Sequence, residues 1–428
     1  PSIPSLLTTT VVSASRIDLG WVASTDNVGV DRYLIRRDGN VIAAVAGNVT
    51  VFQNPGLVAA TAYTFTVEAI DAAGNESGQS APANAVTSSE ISISLIASRT
   101  SGVAPLAVFF DATGTVGSGT TRPFHDLEYR WDFGDPASGN WANTPNMPNL
   151  SRNSATGAVS AHVFEAPGLY TVSLTTTNGS NSESRTIEIQ VDDPEVIFAA
   201  SNTRCFSNSA NFEGCPAGAD QVSVAANDLP NAIAIAIYQD AKRRLLLRRG
   251  EVWPLSTTAV IDAPGPGMLG AFGNGNAPRL LAGSDNPILQ LSALQTPMFR
   301  DWRIVDLELD GQLTQGQAVP SKVGINLDGG ADQVTILRVN VHHVHSGLLA
   351  SSFVLDASNG GIDSPHHVWD QLAIADSRFT NIIGEDGGNG LYVSAQRFAL
   401  LGTIVDNTSG AEHGVRFPYL NKGVISQN

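Results

Sequence analysis

A chain of 428 residues is too long for one hydrophobic core and is expected to fold as two to four domains. Its 40 acidic against 24 basic side chains leave a net charge of −16, which repels nucleic acid and anionic membranes unless a local patch reverses it. No apolar run is long enough for a membrane-spanning helix, only 15% of residues are charged, and turn-forming Gly, Ser, Thr and Asn abound. That balance belongs to secreted all-β proteins.

Residues 1–88 alternate apolar and polar side chains over short runs, as in Ile17–Trp21, Tyr33–Ile42 and Tyr63–Asp71. Asp38-Gly39 is a hairpin-turn signal. About seven short strands in such a length make a β-sandwich. Trp21, Tyr33, Leu57, Tyr63, Val67, Ala69, Asp71, Gly74, Asn75 and Ser77 fall at the positions that mark a fibronectin type III domain, and the segment resembles that family along its whole length. The resemblance implies that Tyr63 forms the tyrosine corner, its hydroxyl bonded back to nearby backbone.

Residues 91–192 read as a second sandwich. Gly102–Thr113 opens it, Trp131-Asp-Phe-Gly-Asp135 stands in the middle, and His162-Val-Phe-Glu-Ala-Pro-Gly-Leu-Tyr170-Thr-Val closes it. These runs resemble the polycystic-kidney-disease (PKD) domain, with Phe164 in place of the family's usual tyrosine. Residues 136–160, rich in Pro, Asn and Ser, read as a surface loop in which Trp141 is a candidate ligand contact. Asp192-Asp-Pro194 reads as a linker that sets the modules in file as an elongated rod.

From 195 to 428 the pattern is a repeat. Gly324, Gly347, Gly390 and Gly414 each open a short strand-like run and stand 23, 43 and 24 residues apart, with 43 read as two periods. A second apolar run follows each after about ten residues. Self-similarity at this spacing without helical periodicity is a stacked coil of strands. Arg248-Arg-Gly-Glu-Val-Trp253 and the run Gly267–Pro278 resemble the first coils of right-handed parallel β-helix proteins of the pectate-lyase-like superfamily. The expected fold class is therefore all-β: two β-sandwiches followed by a right-handed parallel β-helix. The run Ala232–Tyr238 fits either a helix or a buried strand. Cys205 and Cys215, close together in a polar, glycine-containing stretch, are expected to pair as a disulfide. The sequence opens at Pro1 rather than Met and reads as a trimmed form. It stops at Asn428 just after a strand-like run, so further coils or a partner are expected beyond it.

Enzymes with this coil that cleave acidic glycans need a base, together with Ca²⁺ or a cationic side chain to neutralise the uronate. Three sets of residues offer such groups. His342, His343 and His345 crowd the end of a strand, near Arg338, and His366 and His367 follow. Arg416 and Lys422 lie beside His413 in a later coil. Asp376, Glu385 and Asp386 border a glycine-rich loop that suits Ca²⁺, although no cofactor is required by the sequence. Each set also fits an ordinary solvated turn. Asn340, Asn381, Asn407 and Asn428 read as a stacked column of turn residues.

Two readings follow. One is a secreted or cell-surface rod with an adhesive, structural or glycan-binding role, assembling with copies of itself. The other is an extracellular polysaccharide lyase with catalytic residues among His342, His343, His345, Arg416 and Lys422. The expected partners are an extracellular polysaccharide or neighbouring copies, with no nucleic acid and no membrane insertion.

Overall fold

A computed structural model of the protein describes residues 1–88, 90–117, 120–141, 150–178, 181–283, 286–292, 300–317, 319, 322–328, 332–350, 355–356, 361–362, 369–384, 387–409 and 413–426. The chain is all-β and divides into two compact units. The first comprises Pro1–Ser94, Gly114–Glu128 and Thr175–Ser184; the second comprises Leu95–Thr113, Tyr129–Leu174 and Arg185–Asn428.

In the first unit, strands Ser5–Ser13, Arg16–Val22 and Val51–Pro55 form one antiparallel sheet. Val30–Arg37, Asn40–Ala46, Ala62–Asp71 and Ala83–Val86 form the other. The alternation along each strand sends Ile17, Leu19, Trp21, Tyr33, Ile35, Phe65, Val67 and Ala69 into one core. Trp21 meets Tyr33 edge to face at 5.4 Å between ring centres. The Tyr63 hydroxyl accepts the Val58 backbone N–H at 2.9 Å, which is the corner expected from the sequence.

In the second unit, the Trp131–Asp135 run packs as its pattern suggests. Trp131 and Phe133 are buried; Phe133 stacks on Phe110, and Trp131 meets the same ring at a tilt. His162 lies flat on Phe133 at 4.5 Å, and its Nε2 is 3.0 Å from Asp135. The stretch 136–160 is not simply a loop: Ser154–Thr156 pairs with Arg130–Asp132, and Val159–Phe164 pairs with Leu106–Asp111.

The rest of the second unit is a parallel β-helix with three faces per coil. The first face stacks Arg244–Arg248, Gly267–Phe272, Arg300–Val305, Asp332–Leu337, Asp370–Ala375 and the end of Asn389–Leu401. The second stacks Val252–Pro254, Arg279–Leu281, Glu308–Asp310, Asn340–Val344, Arg378–Ile383 and Ile404–Ser409. The third stacks Ala259–Ile261, Leu289–Ser292, Val323–Asp328, Ser346–Ala350 and the start of Asn389–Leu401. Inward residues form columns; Trp302, Val334, Leu372 and Phe398 occupy one of them, each fully buried.

Helix Leu229–Tyr238 packs against Ala259–Ile261. It buries Ile233, Ala236 and Ile237, a helical i, i+3, i+4 set, in the same core as Phe206 and Trp253. That resolves the ambiguous run. The Cys205–Cys215 disulfide is formed, with Cys205 fully buried beside Phe198, Leu246, Met268 and Phe272.

The glycine column is real, but its period differs from the expectation. A Cβ at Gly324 would lie 2.6 Å from the Gly347 carbonyl oxygen, one at Gly347 2.4 Å from that of Gly390, and one at Gly390 2.2 Å from that of Gly414. The 43-residue interval is thus a single coil carrying extra residues, since Ser346–Ala350 pairs directly with Asn389–Leu401. Of the asparagines, Asn381 and Asn407 stand level on neighbouring coils, whereas Asn340 pairs with Arg378 and so falls in another column, and Asn428 lies outside the described residues.

The expected rod is corrected within this unit. Val305, Leu337, Ala375 and Leu401 point outward from the first face and are buried against Ala107, Phe109, Ala161 and Val163 of the second sandwich. Charge fastens the contact. Arg303, fully buried, donates from Nε to the Val103 and Pro105 carbonyls and from Nη2 to Asp301, which also accepts from Arg99 at 2.7 Å. Burial pushes the Asp301 carboxyl up, but Arg303 and Arg99 outweigh it and hold the group below its ordinary value.

Substitutions in the glycine column, the buried ion pair and the disulfide test this fold. Gly347→Ala should cost about 1–3 kcal/mol in urea unfolding, through a Cβ that has no room. Gly414→Ala, where nothing lies within 4 Å, should stay within about 0.5 kcal/mol; equal costs would show that the column imposes no packing constraint. Arg303→Ala should cost about 3–5 kcal/mol by leaving Asp301 underpaired. Because the Asp301 pKa is depressed on folding, its contribution is full above about pH 4 and is lost as pH falls through the lowered value. Asp301→Asn should therefore flatten stability against pH in that acid range, as read by denaturation at stepped pH. A thiol assay on unfolded, unreduced protein should read zero, and Cys215→Ser should lower stability by about 2–3 kcal/mol.

Candidate functional site

The second face brings Glu308, Asp310, His342 and His343 together from two neighbouring coils. On strand Asn340–Val344, Val341 and Val344 are both fully buried although they are three residues apart. Strict alternation would not allow this. His343 adopts a left-handed φ of 53°, and the break turns the His342 and His343 rings toward each other outside the coil. Gln312 and Asn381 have the same handedness, at 60° and 49°, so a left-handed turn recurs on successive coils.

Asp310 stands level with His342 on the neighbouring coil. Its Oδ1 is 3.6 Å from His342 Nδ1 and 3.4 Å from His343 Nδ1, and the two Nδ1 atoms are 2.7 Å apart. On the far side of the ring, His342 Nε2 lies 3.0 Å from Glu308 Oε1. His342 is mostly covered, whereas the His343 side chain is 41% exposed. Asp310 and His343 border a groove of about 590 Å³ whose wall also includes Gln312, Leu313, Thr314 and Asn381. Asp310, His342 and His343 offer ligand atoms that all lie within 4.8 Å of one another.

The other candidates are placed elsewhere. His345 is buried at the turn into the third face, beside Ser346 at 3.3 Å. Arg416 lies on the third face, its guanidinium 5.3 Å from the Tyr392 ring centre. Lys422 is bonded to Asp111 of the second sandwich. Arg338 bridges Asp306, at 2.6 Å, and Glu165. Asp376 faces Arg152 at 3.2 Å, and burial pushes its carboxyl above the ordinary value against the pull of Arg152. Trp141 lies against Gly402 and under the Arg152 guanidinium at 5.0 Å. Lys422, Arg338, Asp376 and Trp141 thus stand at the seam between the second sandwich and the coil. His366, His367, Glu385 and Asp386 lie outside the described residues.

The structure therefore brings His342 and His343 together and does not join them to Arg416 or Lys422. Sequence reasoning missed Glu308 and Asp310. Their signal was a Glu-x-Asp pair one coil before the histidines, legible only once the pairing of Glu308–Asp310 with Asn340–His342 is known.

Residues 92–191 match the PKD domain family. Over 87 residues, 20% of this chain, the sequence is 46% identical to Chitinase A1 of Niallia circulans, of which it covers 12%. Over a stretch of the same length it is 38% identical to Exoglucanase B of Cellulomonas fimi, of which it covers 8%. The chain thus spans only a small part of these relatives' length. Among solved structures, the fn3 domain of human contactin 1 aligns at 21% identity, covering 20% of this chain and 76% of that one, with a TM-score of 0.19. A chitinase from Bacillus thuringiensis aligns at 19% identity, covering 44% of this chain and 27% of that one, also with a TM-score of 0.19.

Proposed function

We propose that this is a modular extracellular protein whose β-helix holds a neutral glycan in the groove beside His343. The observation that carries the reading is the chemistry of the groove wall. Gln312, Thr314, Gln315 and Asn381 supply uncharged donors and acceptors, and Leu313 and Ile383 supply apolar surface. No Arg or Lys stands among the described residues that line it. With Asp310 present and a chain charge of −16, a uronate would meet repulsion there rather than a clamp. The relatives named chitinase and exoglucanase support a carbohydrate setting. The disulfide supports an oxidising compartment.

The test is binding of soluble chito- and cello-oligosaccharides against oligogalacturonate by calorimetry. The neutral oligomers should bind, and Gln312→Ala or Asn381→Ala should each weaken them about five-fold, the worth of one hydrogen bond of about 1 kcal/mol. Exclusive binding of the acidic oligomer, or no effect of either substitution, would overturn the reading.

The second reading is a lyase of acidic glycans, favoured by the exposed His343 ring at the groove, where it is placed to take a proton. It requires ultraviolet-absorbing unsaturated products from pectate or alginate, lost in His343→Ala. Their absence from a broad panel, with and without Ca²⁺, removes it.

A further inference from the structure

We propose that Asp310, His342 and His343 form a binding site for one divalent transition-metal cation of the zinc class. The argument begins with protons. Glu308 Oε1 sits 3.0 Å from His342 Nε2, so that nitrogen carries the proton and donates it. His342 Nδ1 is then a bare lone pair. It faces His343 Nδ1 at 2.7 Å and Asp310 Oδ1 at 3.6 Å. His343 Nδ1 meets that lone pair in one of two ways: as the N–H tautomer it donates its proton to it, and as the other tautomer it offers a second lone pair that a metal ion can share with Asp310.

The spacing suits a metal. With bonds of about 2.0–2.2 Å, the ligand atoms of a tetrahedral site stand roughly 3.3 Å apart. The two Asp310 distances, 3.4 and 3.6 Å, are close to that edge. The Nδ1 pair must open by about 0.6 Å to reach it, within the reach of the more exposed His343 ring. The carboxylate–histidine arrangement of Glu308 and His342 is the support that metal-bound imidazoles use to fix tautomer and orientation. The left-handed backbone at His343 holds a strained conformation that places the second imidazole beside the first. Two nitrogens and one oxygen select zinc, cobalt, nickel or copper over calcium and magnesium, which prefer all-oxygen shells. Asp310 comes from one coil and both histidines from the next, so the ion ties two coils together. Three protein ligands leave a fourth position open, and Asp310 and His343 turn it toward the groove. The metal site stands whether or not a glycan occupies that groove.

The test uses the whole chain stripped with chelator and titrated with Zn²⁺ by calorimetry and with Co²⁺ by visible absorption. One equivalent should bind, with the intense Co²⁺ bands of a four-coordinate site, and excess Ca²⁺ should not displace it. His343→Asn, which tolerates the left-handed backbone, should weaken binding at least 100-fold while the melting profile of the metal-free protein stays unchanged. Glu308→Gln, a change in a positioning residue, should weaken it 10- to 100-fold and leave the Co²⁺ spectrum four-coordinate. Absence of saturable binding would overturn the proposal. So would binding of equal strength in wild type, His342→Ala and His343→Asn, which would place the ion elsewhere.

Discussion

Everything in the larger unit depends on one requirement: each coil must set its backbone directly over the last. Parallel pairing demands that carbonyl and amide meet in register coil after coil, so turns must recur at equivalent points. Two devices meet the demand. Gly324, Gly347 and Gly390 stand where the neighbouring carbonyl leaves no space for a Cβ. Asp306, Arg338, Asp376 and Gly402 all take left-handed φ at the turn between the first and second faces. Pairing holds on both sides of the 43-residue interval, Asp332–Leu337 with Asp370–Ala375 and Ser346–Ala350 with Asn389–Leu401.

The same regularity explains how the second sandwich attaches. A flat first face presents Val305, Leu337, Ala375 and Leu401 in a row, and the sheet containing Leu106–Asp111 lays Ala107 and Phe109 upon it. Small and aliphatic side chains let the two surfaces approach closely. Around that apolar patch run Arg303 with Asp301 and Arg99, Arg338 with Glu165, Arg152 with Asp376, and Lys422 with Asp111. Several side chains with the look of a catalytic or ligand-binding set are thus occupied in orienting one module on another. A buried arginine bonded to two backbone carbonyls specifies that orientation, because any slip leaves its charge unpaired.

The face that carries His342 and His343 also carries a groove. The left-handed turn that keeps the coils in register at Gln312, His343 and Asn381 also throws polar side chains outward in a line. A structural necessity of the coil thereby builds a polar groove, and Asp310 on the preceding coil completes it.

The sequence by itself determined the local structure. Alternation and the aromatic positions Trp21, Tyr33, Tyr63, Trp131 and Phe133 specify the two sandwiches, because those patterns act through neighbours a few residues away. The glycines and their spacing specify a stacked coil, and the two cysteines their disulfide. Only the tertiary structure decided which residues share a site. His342 and Asp310 are 32 positions apart in the chain, and Arg338 and Glu165 are 173 apart. Coil register and module docking create those meetings, and neither leaves a local pattern. His343 shows the reason most plainly. Its side chain points outward because one backbone angle breaks the strand's alternation, and the same left-handed angle recurs at Gln312 and Asn381 on the neighbouring coils.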